Sequence, residues 1–198
     1  MQIVICLSLG VLVLVIFLSD KGVLAGLQED NDANLQEQYA SAHAMLSPSS
    51  SIREYRRALK LLEATAQSGK GRASADALAD LAHVYLFGSS DKKIVTTQQP
   101  SRAFLLANQS SHLGSPKGMH ILSFLYRHGF GVSRDLDKAL LLEKQAAEQH
   151  NYLPSMMAYA FHLRFRQNDC EAALRIYRKC ISWYLIFPFW FFLSFILF

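Results

Sequence analysis

Cysteine is scarce in this chain, with only three in 198 residues. Cys6 lies in an N-terminal apolar segment, while Cys170 and Cys180 would stand about 15 Å apart on one continuous helix, too far for a disulfide. So few cysteines exclude a disulfide framework, and the length suffices for one domain with its own hydrophobic core. We therefore expect Cys170 and Cys180 to be buried thiols.

Paired metal ligands and catalytic motifs are also missing. No two of the seven histidines lie three or four residues apart, so no helix face presents a His pair to a metal. The chain contains no Cys-x-x-Cys, Gly-x-Ser-x-Gly or His-Glu-x-x-His motif. Gly129-Phe130-Gly131 follows a helical pattern, which predicts a turn and not a dinucleotide-binding loop. We expect no catalytic residue, no cofactor and no metal.

Concentrated positive charge is absent as well. The formal net charge is +4, and the basic residues are spread along the predicted helices instead of forming a cluster. This distribution does not favour a nucleic-acid partner.

What the chain does contain is a repeated pair of helices with a turn. The first helix recurs in Leu81-Ala82-x-x-Tyr85-x-x-Gly88, Leu122-Ser123-x-x-Tyr126-x-x-Gly129 and Tyr159-Ala160-x-x-Leu163. The second helix opens each time with a charged residue and an alanine: Arg57-Ala58, Arg102-Ala103, Lys138-Ala139 and Glu171-Ala172. A repeat interval of about 40 residues predicts a helical repeat array. The small residues at positions 82, 123 and 160 predict a close approach of the partner helix.

The apolar periodicity predicts an all-α fold of about four antiparallel hairpins between residues 35 and 180, stacked as a right-handed, tetratricopeptide-like superhelix. Helices are predicted over Leu35–Leu46, Tyr55–Ala66, Ser74–Phe87, Ser101–His112, Pro154–Arg166 and Asp169–Cys180. The core is expected to include Leu122, Leu125, Tyr126, Ala139, Leu142 and Ala146. The structural positions of the repeat are predicted to be Leu81, Tyr85, Gly88, Leu122, Tyr126, Gly129, Gly131, Asp135, Lys138, Ala139 and Ala146.

Both ends of the chain differ from the array. Ile3–Leu18 is almost unbroken apolar sequence and Val23-Leu24-Ala25 suits a signal peptidase, so residues 1–25 are interpreted as a signal peptide, with an uncleaved signal anchor as the alternative. Residues 26–34 are expected to be a flexible leader. Ile181–Phe198 has no charged residue and is either a membrane segment or a substituted end. Asn108-Gln109-Ser110 is a candidate glycosylation site.

The central hairpin resembles the Sel-one-like (SEL) repeat family, relatives of the tetratricopeptide repeat. The resemblance rests on Leu122-Ser123-Phe124-Leu125-Tyr126-Arg127-His128-Gly129-Phe130-Gly131-Val132-x-x-Asp135-x-x-Lys138-Ala139. Leu86-Phe87-Gly88, Gly114–Gly118 and Cys170-Glu171-Ala172-Ala173-Leu174 further resemble the N-terminal lumenal repeats of adaptors of the HRD ubiquitin ligase complex. Ser123 departs from the pattern, because the repeat favours glycine there, and the turn of the fourth hairpin lacks glycine.

This resemblance implies a non-enzymatic scaffold of endoplasmic-reticulum-associated degradation. Its expected partners are proteins: a membrane ubiquitin ligase complex, and lumenal lectins or misfolded clients. The family's adaptors carry many more repeats, so the chain is interpreted as a shortened form. Two other interpretations stay open: a secreted or membrane-anchored repeat protein with an unrelated partner, and a hydrolase within the array.

Overall fold

The computed structural model describes residues 32–47, 50–69, 71–88 and 98–182, and these form eight helices and no strand. The helices are α1 (residues 32–44), α2 (Ile52–Gln67), α3 (Gly71–Phe87), α4 (Pro100–His112), α5 (Pro116–His128), α6 (Leu136–His150), α7 (Leu153–Phe165) and α8 (residues 170–182). The all-α prediction is therefore confirmed for the described part of the chain. The expected signal peptide, most of the leader, most of the connection before α4 and residues 183–198 lie outside the described residues.

Local signals explain where the helices begin and end. Ser51 and Glu54 form a capping box at the start of α2. The carboxylate of Asp135 accepts a hydrogen bond of 3.0 Å from the backbone N–H of Lys138 and caps α6. Gly129 ends α5 in the left-handed conformation with φ 72°, where glycine has no steric cost.

Several predicted helix starts were wrong by one to three residues, among them that of α2, which begins at Ile52 instead of Tyr55. α1 already includes residues 32–34, which were expected in the flexible leader. α3 begins at Gly71 instead of Ser74. The positive φ of Gly71, 77°, turns the chain out of the connection, so that the helix can start directly after α2. α4 begins at Pro100, one residue early, because proline suits the first turn of a helix.

The fourth hairpin turns without glycine because asparagine takes its place. Asn168 has φ 56° in the turn before α8, and Asn151 has φ 51° at the end of α6. Asparagine is among the few residues that visit the left-handed region at low cost. The missing glycine in this turn therefore does not interrupt the array.

The helices stack in chain order, and the odd-numbered helices α3 and α5 also contact one another. α3 packs against α2, α4 and α5, and α6 packs against α5 and α7. The small residues Ala82, Ser123 and Ala160 are completely buried, as a close approach of the partner helices requires.

The predicted core is largely present. Leu122, Leu125, Ala139 and Ala146 are buried. Tyr126 and Leu142 are only half-buried, and they pack against the core from its edge.

The prediction of buried cysteines was wrong. Cys170 is exposed and Cys180 is half-buried. Both lie on α8, the last helix described, and no further described helix packs over its outer side. None of the described helices has the length and apolar character needed to cross a membrane.

Candidate functional site

The first helices of successive hairpins lie side by side and share one polar network. Tyr39 and His43 project from α1, Asp80 from α3 and Lys117 from α5. The Tyr39 hydroxyl donates a hydrogen bond of 3.0 Å to Asp80, His43 Nδ1 lies 3.0 Å from the same carboxylate, and Lys117 forms an ion pair with it. We call the surface formed by α1, α3, α5 and the start of α7 the row surface.

Asp80 is the centre of this network, since all three partner side chains contact its carboxylate. It is also almost completely buried. A buried carboxylate is costly unless charged or hydrogen-bonding groups surround it. Burial, followed by the nearby Asp80, raises the pKa of Tyr39, so the hydroxyl stays protonated and able to donate. Asp80 therefore links three consecutive helices of the row, and its partners are held in fixed positions.

A second buried carboxylate, Glu143 of α6, is the centre of another network, which it forms with side chains of α5. Ser123 Oγ donates to Glu143, Arg127 Nη2 donates to it at 3.3 Å, and His120 Nδ1 lies 3.2 Å from it. This explains why serine replaces glycine at position 123. The hydroxyl supplies a donor to a carboxylate that is 1% exposed.

The side chains of Ser155, His120 and Glu143 lie close together without forming a catalytic triad. Ser155 Oγ and Glu143 Oε2 both lie 3.2 Å from the same nitrogen, His120 Nδ1. In a triad the hydroxyl and the carboxylate bind opposite ring nitrogens, so that the imidazole can pass a proton between them. Within the described ranges there is also no group of three or more His, Cys, Asp or Glu side chains that could hold a metal.

The row surface carries a groove of about 450 Å³ between α3, α5 and the start of α7. We call it the row groove; it is lined by His83, Leu86, Phe87, Lys117, His120, Ile121, Phe124, Tyr152 and Pro154. The volume lies in the range typical of ligand sites.

Aromatic rings form a continuous series along the edge of the row groove. The ring centroids of His83 and Phe87 are 4.7 Å apart, those of Phe87 and Phe124 5.3 Å, and those of Phe124 and His128 4.3 Å. Phe87 is 48% exposed although it is a large apolar side chain. Burial lowers the pKa of His83, which favours the neutral imidazole. Exposed aromatic rings beside a groove are typical of protein-binding surfaces.

None of the residues predicted as structural positions lines the row groove. Leu81, Leu122, Ala139 and Ala146 are buried, and Gly88, Gly129 and Gly131 have positive φ angles. The half-buried rings of Tyr85 and Tyr126 each face a cation: Arg102 Cζ lies 4.2 Å from the Tyr85 centroid and Lys138 Nζ 5.5 Å from that of Tyr126.

Sequence reasoning missed the two buried carboxylates and the row groove. Asp80 had a local signal, because it is the one charged residue in Ala77-Leu78-Ala79-Asp80-Leu81-Ala82. Glu143 had none, since its neighbours Leu142 and Lys144 are ordinary for a surface helix. The row groove could not be predicted from any local stretch of sequence, because its lining comes from three helices that are far apart in the chain.

The candidate glycosylation site Asn108 lies half-buried on α4, with the hydroxyl residue of its sequon inside the fold. Ser110 is completely buried and its Oγ donates a hydrogen bond of 2.6 Å to the carbonyl of Ala75. A glycosylating enzyme must reach both residues of the sequon. We therefore expect Asn108 to be modified only before α4 packs onto α3.

This expectation is tested by treating folded and urea-unfolded protein with oligosaccharyltransferase and measuring the endoglycosidase-sensitive shift. The unfolded chain should be modified and the folded chain should not, and Asn108→Gln should remove the shift. Modification of the folded chain at an equal rate, or of neither form, would contradict it.

Comparison with known proteins supports the repeat fold. No family profile matches the chain. The ERAD-associated E3 ubiquitin-protein ligase component HRD3 of Candida glabrata is 38% identical over 79 residues, which is 38% of this chain and 9% of that protein. This chain therefore spans a small part of the curated relative it matches.

Two solved structures share the architecture. A Sel1 repeat protein from Oxalobacter formigenes superposes with a TM-score of 0.51 and 21% identity, covering 64% of this chain and 48% of that one. The protein c5321, a protective antigen of uropathogenic Escherichia coli that displays an SLR fold, gives a TM-score of 0.52 with 20% identity, covering 76% and 30% respectively. The predicted superhelix of stacked hairpins is thereby confirmed, and the chain has the fold of the Sel1-like repeat proteins.

Proposed function

We propose that this chain is a non-enzymatic adaptor of the ubiquitin ligase machinery of endoplasmic-reticulum-associated degradation. The observation that carries the proposal is its 38% identity to an HRD3 protein over 79 residues. The apolar segment at the N-terminus supports entry into the endoplasmic reticulum. In this proposal the chain is a helical scaffold whose partners are a membrane ubiquitin ligase complex and lumenal lectins or misfolded clients.

The row groove is the surface we assign to partner binding. It combines an apolar floor, formed by the buried Leu86 and Ile121, with the exposed ring of Phe87 and the cation of Lys117. Aromatic side chains that are exposed beside a groove commonly contribute most of the binding energy of an interface. The polar network around Asp80 holds the helices that carry these residues, so the groove is preorganised.

The proposal is tested by purifying the tagged full-length chain from detergent-solubilised microsomes and identifying its partners by mass spectrometry. We expect a membrane ubiquitin ligase among them. Phe87→Ser should reduce its recovery about tenfold, the effect of losing a moderate hot-spot residue. The matched control is Leu105→Ser on α4, because Leu105 is also a large apolar side chain, is 65% exposed and does not line the groove.

Two results would count against the proposal. If no ubiquitin ligase is found in the wild-type eluate, the adaptor role is refuted, and a repeat protein with an unrelated partner is favoured instead. Equal losses for Phe87→Ser and Leu105→Ser would show that the row groove is not the binding surface. Both variants should melt near the wild-type temperature, which separates lost binding from lost folding.

A further inference from the structure

A second groove lies between the end of α5, the start of α6 and the end of α7, and its volume is about 480 Å³. We call it the basic groove; it is lined by Arg127, His128, Arg134, Leu136, Ala139, Leu140, Ala158, Phe161, His162 and Arg166. Its lining contains three arginines, two histidines and no carboxylate. The groove is therefore a local concentration of positive charge on a chain whose net charge is only +4.

Two of the three arginines of the basic groove, Arg127 and Arg134, are held in position by hydrogen bonds. Arg127 donates to the buried Glu143 at 3.3 Å, and Arg134 Nε donates to the backbone carbonyl of Arg127 at 3.0 Å. Neither Arg134 nor Arg166 forms an ion pair with a carboxylate anywhere in the described ranges. Two guanidinium groups are thus available beside a third that is fixed, and guanidinium groups bind carboxylates through paired hydrogen bonds.

The groove also has an apolar floor between its cations. Ala139 is buried, Leu140 and Ala158 are half-buried, and Phe161 is 58% exposed. Burial, and then the positive charges of Arg127 and Arg166, lower the pKa of His162 at the edge of this floor. An apolar floor surrounded by guanidinium groups suits a ligand with carboxylates on either side of an apolar side chain.

We propose that the basic groove binds a short acidic peptide segment of a partner protein. An apolar side chain of the peptide packs on the floor formed by Leu140 and Phe161, and its carboxylates pair with Arg134 and Arg166. Charge complementarity commits the groove to an acidic occupant, and the floor distinguishes a peptide from a simple anion. The proposal does not depend on the ubiquitin ligase assignment. A chain that purified with a ligase but bound no acidic peptide would refute only this inference.

The test is fluorescence anisotropy of the full-length chain with three labelled, amidated peptides. The probe is Glu-Asp-Leu-Leu-Asp-Glu, and its controls are Gln-Asn-Leu-Leu-Asn-Gln and Glu-Asp-Ser-Ser-Asp-Glu. We expect the probe to bind at least about tenfold more tightly than either control, because each removes one kind of contact that the groove offers. Binding should weaken as salt rises, since exposed charges are screened. The pKa of His162, measured by NMR, should rise when the probe is bound.

Exposed arginines provide matched variants. Arg134→Gln and Arg166→Gln should each weaken probe binding about tenfold, the usual effect of losing a charge-assisted hydrogen bond. Arg56→Gln is the control, because Arg56 belongs to a similarly exposed basic patch on α2 with Arg53, Arg57 and Lys60. It should change binding less than about twofold if only local contacts are lost.

The inference is overturned if the probe does not bind, if Arg56→Gln weakens binding as much as Arg166→Gln, or if the Gln-Asn peptide binds equally well. Inorganic phosphate and phosphatidylserine vesicles are assayed in parallel. Binding of either that depends on Arg134 and Arg166, with no binding of the peptide, would identify an anion or lipid site instead and also overturn it.

Discussion

Gly131→Ala is expected to destabilise the protein by about 2–5 kcal/mol, because it combines backbone strain with a steric clash. Gly131 has φ 71°, a conformation that costs an L-residue about 1–2 kcal/mol. A Cβ at this position would lie 2.4 Å from the carbonyl oxygen of Pro100 and 2.7 Å from the nitrogen of Ser101. Both atoms belong to the backbone of α4, so neither a rotamer change nor a small local shift removes the overlap.

Gly114→Ala is the matched control for this prediction. Gly114 has φ 82°, yet nothing lies within 4 Å of a Cβ added there. It should therefore show the strain alone, about 1–2 kcal/mol. Thermal unfolding followed by circular dichroism compares the two variants. Equal losses of stability would show that the turn between α5 and α6 does not pack against α4 as described.

Leu122→Ala is expected to cost about 2–5 kcal/mol, the usual range for a leucine truncated in a core. Leu122 is 4% exposed and belongs to the cluster in which α3, α4 and α5 meet. Since neighbouring repeats stabilise each other through their shared core, a cavity there should weaken both the central hairpin and the one before it.

Urea unfolding at constant temperature measures this effect. Leu105→Ala is the comparison, because the same side chain is 65% exposed on α4 and its truncation should change stability by less than about 0.5 kcal/mol. If Leu122→Ala unfolds at the wild-type urea concentration, the apolar face assigned to α5 is wrong.

Most of the fold could be predicted because its signals are local. The periodicity of Leu122, Leu125 and Tyr126 and the glycine at 129 all act within one hairpin. The predicted starts of α3 and α4 were in error where Gly71 and Pro100, interpreted as parts of connections, instead form the first turn of a helix. The prediction of buried cysteines failed because burial depends on which helices cover α8, and no sequence pattern states that.

The sequence by itself determined that the chain is a helical repeat array, because a repeat interval, helix caps and glycine turns are properties of neighbouring residues. It also determined that Ser123 departs from the repeat, but not why. Only the tertiary structure decided that Ser123 faces the buried Glu143, and that Arg127, Arg134 and Arg166 line one groove although the basic residues look dispersed along the chain. Both depend on how one hairpin stacks on the next, because stacking brings together side chains that are distant in sequence.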